Sequence, residues 1–314
     1  MTTSGEWCNR SVLVTGATGF VGGHLCRLLL ESGARVHGVG RSQVASIDLP
    51  GITYHSADLA DASCVHALFS EIRPHRVFHL ASHVVGARDL EQVAATLRDG
   101  LVATVNVLTA AARHDRPRFV LAGSLEEPES DCGGPLLPAP SSPYAAAKFA
   151  GAAYARMFHA LYGLPVVHAR IFMVYGPGQR DLQKLIPYTI RSLLRGEVPL
   201  LSNGERLVDW VYVEDVARGL IRLGEKSGIE GQRIDLGTGV LTSVREVALR
   251  LTQIVRPDIM PQFGAVKSRP MEQVRQADAD ATNRLTGWAP EVTLNEGLRR
   301  AAQWYTMFVA ESDD

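Results

Sequence analysis

The sequence predicts an α/β protein: a doubly wound parallel sheet with a smaller α/β lobe after it. Three observations predict this. Short apolar, β-branched runs alternate strictly with segments of helical period up to about residue 172. Three glycines stand at the first strand–helix turn. After residue 173 the alternation gives way to short elements joined by Pro- and Gly-rich connections.

The elements follow in order. Residues 11–15 (SVLVT) are apolar and stop at glycine, as a buried parallel strand does. Residues 20–32 place Phe20, Val21, Leu25, Leu28 and Leu29 on one helical face, and Gly33 supplies a C-terminal stop. Strands are predicted at 35–39, 52–55, 76–81, 118–122 and 165–172. Helices are predicted at 64–72, 90–114 and 144–162. Right-handed crossovers turn this alternation into a doubly wound sheet. The expected domains are 8–172, with a return segment around 208–238, and a ligand-binding lobe from 173–207 and 239–310. Residues 126–143, rich in proline, glycine, serine and acids, read as a long loop.

The stretch TGATGFVGG sets Gly16, Gly19 and Gly22 three residues apart between strand and helix. The first permits a tight turn, the second lets backbone approach a pyrophosphate, and the third lets helix lie close on strand. The helix N-terminus then offers N–H groups to phosphate. This predicts a Rossmann-type dinucleotide site. An acidic residue at the end of the second strand would accept the adenosine ribose hydroxyls and repel a 2′-phosphate. Here Gly40 and Arg41 stand there, followed by Ser42. The missing repulsion and the added cation favour NADP over NAD.

Composition excludes other classes. A net charge of −1 offers no attraction to nucleic acid or anionic lipid. No apolar run reaches a membrane span, and the N-terminus lacks a signal core. The four cysteines, Cys8, Cys26, Cys64 and Cys132, have neither metal nor redox spacing. A cytoplasmic protein with reduced thiols and no metal is expected.

Tyr144 and Lys148 are four apart at a helix start, so they share a face. An ammonium beside a phenol and an oxidised, cationic nicotinamide both favour the phenolate, which suits proton exchange with a substrate oxygen. Ser124 closes the strand RFVLAGS.

Taken together, TGATGFVGG, SADLAD (56–61), VFHLAS (77–82), SPYAAAK (142–148), RIFMVYGPGQ (170–179) and VDWVYVEDVARG (208–219) resemble the extended short-chain dehydrogenase/reductase family. That family comprises sugar-nucleotide epimerases, dehydratases, decarboxylases and ketoreductases. The resemblance implies that Phe20, Asp58, Leu59, Leu80 and Ala81 border the cofactor, with Asp58 and Leu59 at the adenine edge. It makes Ser124, Tyr144 and Lys148 the catalytic set, with Lys148 also on the nicotinamide ribose. Glu126 matches the acid/base glutamate of the 4,6-dehydratases and sugar-nucleotide decarboxylases, and Leu125 fills the place where some dehydratases, though not the GDP-mannose dehydratases, carry an aspartate. His83, Tyr175, Arg206 and Arg269 are implied contacts of a nucleoside diphosphate sugar, Arg269 on the diphosphate. Met173, Val208 and Asp99 depart from the family's Asn, Arg and Asn.

The implied reaction lies at C4 of the sugar. Reduction of a 4-keto-6-deoxyhexose comes first, because it consumes an exchangeable NADPH. A 4-epimerase holding NAD and a 4,6-dehydratase using Glu126 are the alternatives. The resemblance implies a homodimer through the helix near 101–114 and the one carrying Tyr144, whose alanine-rich stretch AAAKFAGAAYA permits close helix approach.

Overall fold

The computed structural model describes residues 5–41, 49–84, 88–129, 139–268 and 271–312. In chain order the elements begin β1 (Ser11–Thr15), α1 (Phe20–Glu31), β2 (Arg35–Gly40), β3 (Thr53–Ser56), α2 (Ala62–Ile72) and β4 (Arg76–His79). Then come α3 (Gln92–Thr96), a π-helical stretch (Leu97–Val102), α4 (Ala103–Arg113), β5 (Arg118–Ser124), α5 (Pro143–Tyr162) and β6 (Val166–Ile171). They continue with β7 (Met173–Tyr175), α6 (Leu185–Leu194), β8 (Leu200–Leu201), β9 (Leu207–Tyr212), α7 (Val213–Glu225) and β10 (Arg233–Leu236). The last are β11 (Leu241–Ser243), α8 (Val244–Val255), β12 (Gln262–Phe263), α9 (Ala279–Thr286) and α10 (Leu294–Ser312).

Seven strands form the main sheet in the order β10-β6-β5-β4-β1-β2-β3. From β6 through to β3 every neighbouring pair is parallel. The order reverses between β1 and β4, which opens the crevice where such sheets bind ligands. The predicted doubly wound sheet is therefore borne out, and β10 does return to it. All five residues of β1 are buried, as its unbroken apolar run requires of a central parallel strand. Phe69, Val107, Leu108 and Phe158, on α2, α4 and α5, pack with Leu13, Val77 and Phe119 of the strands.

The chain divides into two compact units, Met1–Ile171 with Ala217–Asp235, and Phe172–Val216 with Leu236–Asp314. The return therefore begins at Ala217 and not near 208. The reason is that β9 pairs with β7 and β11 in a three-stranded sheet of its own. The second unit has its own core around Tyr175, Trp210, Tyr212, Leu251 and Leu298. Buried Asp209 braces it, accepting N–H bonds from Thr238 (2.8 Å), Gly239 (2.9 Å) and Ala277 (3.0 Å).

The predicted helix 90–114 is interrupted. The π-helical stretch brings Gly100 against α5, where a Cβ would stand 3.2 Å from Ala147 Cβ. A side chain at 100 would push the helices apart, and only the missing Cβ of glycine lets them meet.

A one-way chain of hydrogen bonds crosses the sheet nearby. Ala81 N–H donates to Thr15 Oγ1 (3.2 Å), which lies 2.7 Å from His79 Nδ1. His79 Nε2 lies 3.0 Å from Thr104 Oγ1, whose proton goes to Gly100 O (2.6 Å). Each hydroxyl has one proton, so Nε2 donates, Nδ1 accepts, and His79 is neutral. Burial, then the charge of Lys148, lowers its pKa to about 3. His79 is a core residue.

Among the described residues no helix is long and apolar enough to cross a membrane. Cys8, Cys26 and Cys64 are free thiols. Cys132 lies outside the described residues.

Candidate active site

The glycine loop is built to hold an anion close to backbone. Gly16 has φ 71°, and a Cβ there would lie 2.8 Å from Ala81 N. A Cβ at Gly22 would overlap the Gly16 carbonyl oxygen. Helix α1 starts at Gly19 with no side-chain cap and no acid in its first turn. Its first N–H groups thus remain available to phosphate. Phe20 is half-buried and meets His24 edge-on at 6.0 Å between centroids. Leu80 N–H continues the β4 ladder to Thr15 O at 3.2 Å. Among the described residues the buried Ser82 Oγ has no hydrogen-bond partner. These residues fit a dinucleotide.

Beyond the C-terminal end of β2 the structure assembles a chain of charges. Arg41 pairs with Asp99 at 2.6 Å, Asp99 with Arg98 at 2.7 Å, and Arg98 with Asp58. Asp58 also accepts Ala60 N–H at 3.0 Å. That bond first, then Arg98, holds its carboxyl below the usual range. Leu59 is buried, and its carbonyl accepts from Asn106 Nδ2 at 3.0 Å. Arg41 is therefore a partnered cation, and Asp99 partners it from the neighbouring helical segment. Ser42 lies outside the described residues.

Ser124, Tyr144 and Lys148 come together at the end of β5 and the start of α5. Ser142 caps α5 by accepting Ala145 N–H at 3.1 Å, and Pro143 takes the first turn. That cap fixes where Tyr144 enters. The Ser124 hydroxyl lies near enough to the half-buried Tyr144 to favour its phenolate. Lys148 Nζ donates to Ala122 O at 2.7 Å and stands 5.8 Å from the Tyr144 ring centroid.

Burial pushes the Tyr144 phenol up, the Ser124 hydroxyl opposes this, and the Glu126 and Glu127 carboxylates add to it. The lysine ammonium is itself buried and turned to a backbone carbonyl, and its own pKa is lowered to about 8.

Glu126 is half-buried. Its N–H donates to Ser124 Oγ (3.2 Å), and its Oε2 accepts from Ser142 Oγ (3.3 Å). The acidic run around it does not all face water. Glu127 is 5 % exposed, and its Oε1 accepts Ser124 N–H at 2.7 Å and His168 Nε2 at 3.2 Å. Gly123 lies over this pair: a Cβ there would overlap His168 Nε2 and approach Glu127 Oε1 at 2.5 Å. His168, then Ser124 N–H, hold Glu127 below the usual carboxylate range despite its burial. Its charge in turn favours the ammonium of Lys148. Glu127, His168 and Ser82 were missed in the sequence. The one available signal was His168 interrupting an apolar strand.

The implied sugar-nucleotide contacts have the following surroundings. His83 Nε2 is held by Gln92 Oε1 at 3.0 Å. Tyr175 is corrected from a sugar contact to a core residue. It is 1 % exposed, its hydroxyl donates to Leu294 O at 3.3 Å, and Trp210 and Tyr212 flank its ring. Its place on the short strand β7 turns it into the second unit's core. Arg206 is paired with Glu272 at 3.1 Å, and its buried Nε has no hydrogen-bond partner among the described residues. Arg269 lies outside the described residues.

The sheet order, the uncapped glycine loop and the Ser–Tyr–Lys cluster define a Rossmann-type dinucleotide-binding protein with a site suited to proton transfer. The chain belongs to the NAD dependent epimerase/dehydratase family, whose model matches residues 12–237. It is 30 % identical to a UDP-glucose 4-epimerase of Mycolicibacterium smegmatis over 93 % of this chain and 97 % of that protein. It is also 30 % identical to a dTDP-glucose 4,6-dehydratase of Neisseria meningitidis, over 94 % and 93 %. A solved UDP-glucose 4-epimerase from Thermus thermophilus in complex with NAD has the same fold. Its TM-score is 0.80 at 27 % identity, covering 94 % of this chain and 98 % of that one.

Proposed function

We propose that this chain is a 4-epimerase of a nucleoside diphosphate hexose: it removes a proton and a hydride at C4 and returns both. The observation that carries the reading is that Ser124, at the end of β5, meets Tyr144 at the start of α5, where the serine hydroxyl favours the phenolate, with Lys148 one turn along the same helix. Tyr144 holds the proton of the C4 oxygen, and Ser124 positions that oxygen and steadies its developing charge. Lys148, protonated below about pH 8, lends positive charge to the site, and Glu127 maintains that protonation. A nicotinamide, when bound, supplies the hydride acceptor and donor. The relatives named above, a 4-epimerase and a 4,6-dehydratase, support chemistry at C4. Buried Leu125, in the place of the dehydratases' aspartate, supports epimerisation over elimination.

Reduction of a 4-keto-6-deoxyhexose by exchanged NADPH is a second reading, favoured by Gly40, which removes the repelling carboxylate. Arg41 would then exchange Asp99 for the 2′-phosphate. One assay separates the readings. Protein is purified, denatured, and its released dinucleotide identified, and UDP- and dTDP-hexoses are then offered without added cofactor. Stoichiometric NAD with C4 inversion supports the epimerase. Empty protein that binds NADPH reversibly and reduces a 4-keto sugar replaces it with the reductase. Bound dinucleotide with loss of water from the sugar replaces it with the dehydratase and assigns Glu126 the elimination.

A homodimer is part of the proposal. On α5, Phe149, Tyr154, Leu161 and Tyr162 are exposed, an apolar surface that a second copy would cover. Light scattering at the monomer mass would remove this part.

A further inference from the structure

Residues two apart on a strand point to the same face, so Gly38 and Gly40 leave a bare track along β2. The register sets Tyr54 of β3 beside Gly38, and Ser56 beside Gly40. The Tyr54 ring lies along that track. A Cβ at Gly38 would stand 3.5 Å from Tyr54 Cδ2. A Cβ at Gly40 would stand 3.2 Å from Cζ and overlap the hydroxyl oxygen. The tyrosine thus reaches from the neighbouring strand to the spot from which a side chain at position 40 would start. Thr18, in the glycine loop, brings its Oγ1 to 3.7 Å from the same spot. The Tyr54 hydroxyl therefore sits where β2 meets the glycine loop, the place of the ribose-binding carboxylate in dinucleotide folds. Gly40 and Tyr54 are one arrangement: while the ring lies on the track, no residue but glycine fits at 40.

That carboxylate does two things. It accepts from the ribose hydroxyls, and its charge repels a 2′-phosphate. A phenolic hydroxyl both donates and accepts and, while protonated, brings no negative charge. We propose that Tyr54 is the ribose-recognition residue of this chain. Its hydroxyl hydrogen-bonds the 2′-oxygen of the adenosine ribose, accepting from a 2′-hydroxyl or donating to a 2′-phosphate, so that both dinucleotides are admitted. The inference rests on the dinucleotide reading of the glycine loop and goes beyond it in naming the residue that sets selectivity.

The test is equilibrium titration with NADH and NADPH, followed by nicotinamide fluorescence, with thermal unfolding as the check on folding. Wild type should bind both, with Kd values within about tenfold. Tyr54→Phe should weaken both by about three- to tenfold, the loss of one hydrogen bond. Gly40→Asp should weaken both, because the carboxylate has no room. Gly40→Asp with Tyr54→Ala should recover NADH and reject NADPH by at least about tenfold through like-charge repulsion. The proposal is overturned if Tyr54→Phe binds both as wild type does. It is also overturned if Gly40→Asp discriminates against NADPH as strongly with Tyr54 in place as without it. Should Gly40→Asp alone fail to fold, Tyr54→Phe and the double variant decide. Wild type that takes up neither dinucleotide would sink the cofactor reading itself, and this inference with it.

Discussion

Lys148 gives a sharp test because its effect on folding depends on pH in a way few residues share. Its ammonium is buried, and its pKa falls from 10.5 to about 8 on folding, burial outweighing the favourable charge of Glu127. Below pH 8 both folded and unfolded chains carry the proton, and the folded state bears the full desolvation cost. Between pH 8 and 10.5 the unfolded chain binds more protons than the folded one, so stability rises with pH. The slope is about 1.4 kcal/mol per pH unit, or about 3 kcal/mol across the window. Lys148→Met removes the titration. It also loses the bond to Ala122 O, a constant offset of about 1 kcal/mol that does not vary with pH. The assay is urea unfolding of both proteins at several pH values from 7 to 10. The stability of wild type minus that of Lys148→Met should be flat below pH 8 and then climb at the stated slope. Repeated in a Glu127→Gln background, the climb should begin at lower pH, because the carboxylate that favours the ammonium is gone. A difference that stays flat from pH 8 to 10 would refute the buried-ammonium argument. So would a climb that Glu127→Gln moves to higher pH.

Further expectations concern chemistry and folding. Tyr144→Phe should lower C4 turnover of a nucleoside diphosphate hexose by about 10²–10⁴-fold while NADH titrates as in wild type; weakened NADH binding would give Tyr144 a cofactor role instead. Glu126→Gln should leave C4 inversion within about threefold, and a complete loss of turnover would show that Glu126 moves a proton in the main reaction. Arg170 makes a two-pronged bond to Asp235, at 2.7 and 2.6 Å, and a third to Glu129 at 2.8 Å. Arg170→Ala, which removes the two-pronged partner of a buried carboxylate, should cost about 3–5 kcal/mol in urea. Gly22→Ala, which drives a methyl into the Gly16 carbonyl, should lose both dinucleotide binding and about 2 kcal/mol of stability.

The first half of the fold was legible because its signals are local. A buried parallel strand announces itself by an apolar run such as SVLVT, and an α-helix by its period. Helix 90–114 was read as unbroken because a single π-helical turn, with its i→i+5 bonding, is too short to mark the residue pattern while it re-aims Gly100 toward α5. The return near 208 was misjudged because the apolar residues of β9 suit either sheet, and only pairing decides. In the site, Ser124, Tyr144 and Lys148 were found by spacing. Glu127 was hidden because its burial depends on His168, forty-one positions away along the chain. Tyr54 was hidden because its meaning lies in the two glycines of the adjacent strand. Tyr175 misled because the motif around it is shared, whereas the direction of one ring is settled by the packing of another unit.

The polar pair under Gly123 bears on how this protein can be re-engineered. A turn grafted from elsewhere with an apolar residue at 127 would strip His168 of its acceptor deep inside β6. A bulkier residue at 123 would collide with the imidazole. Loop 123–127 and strand 166–171 therefore form a single cassette, and swapping one without the other should yield insoluble chimeras.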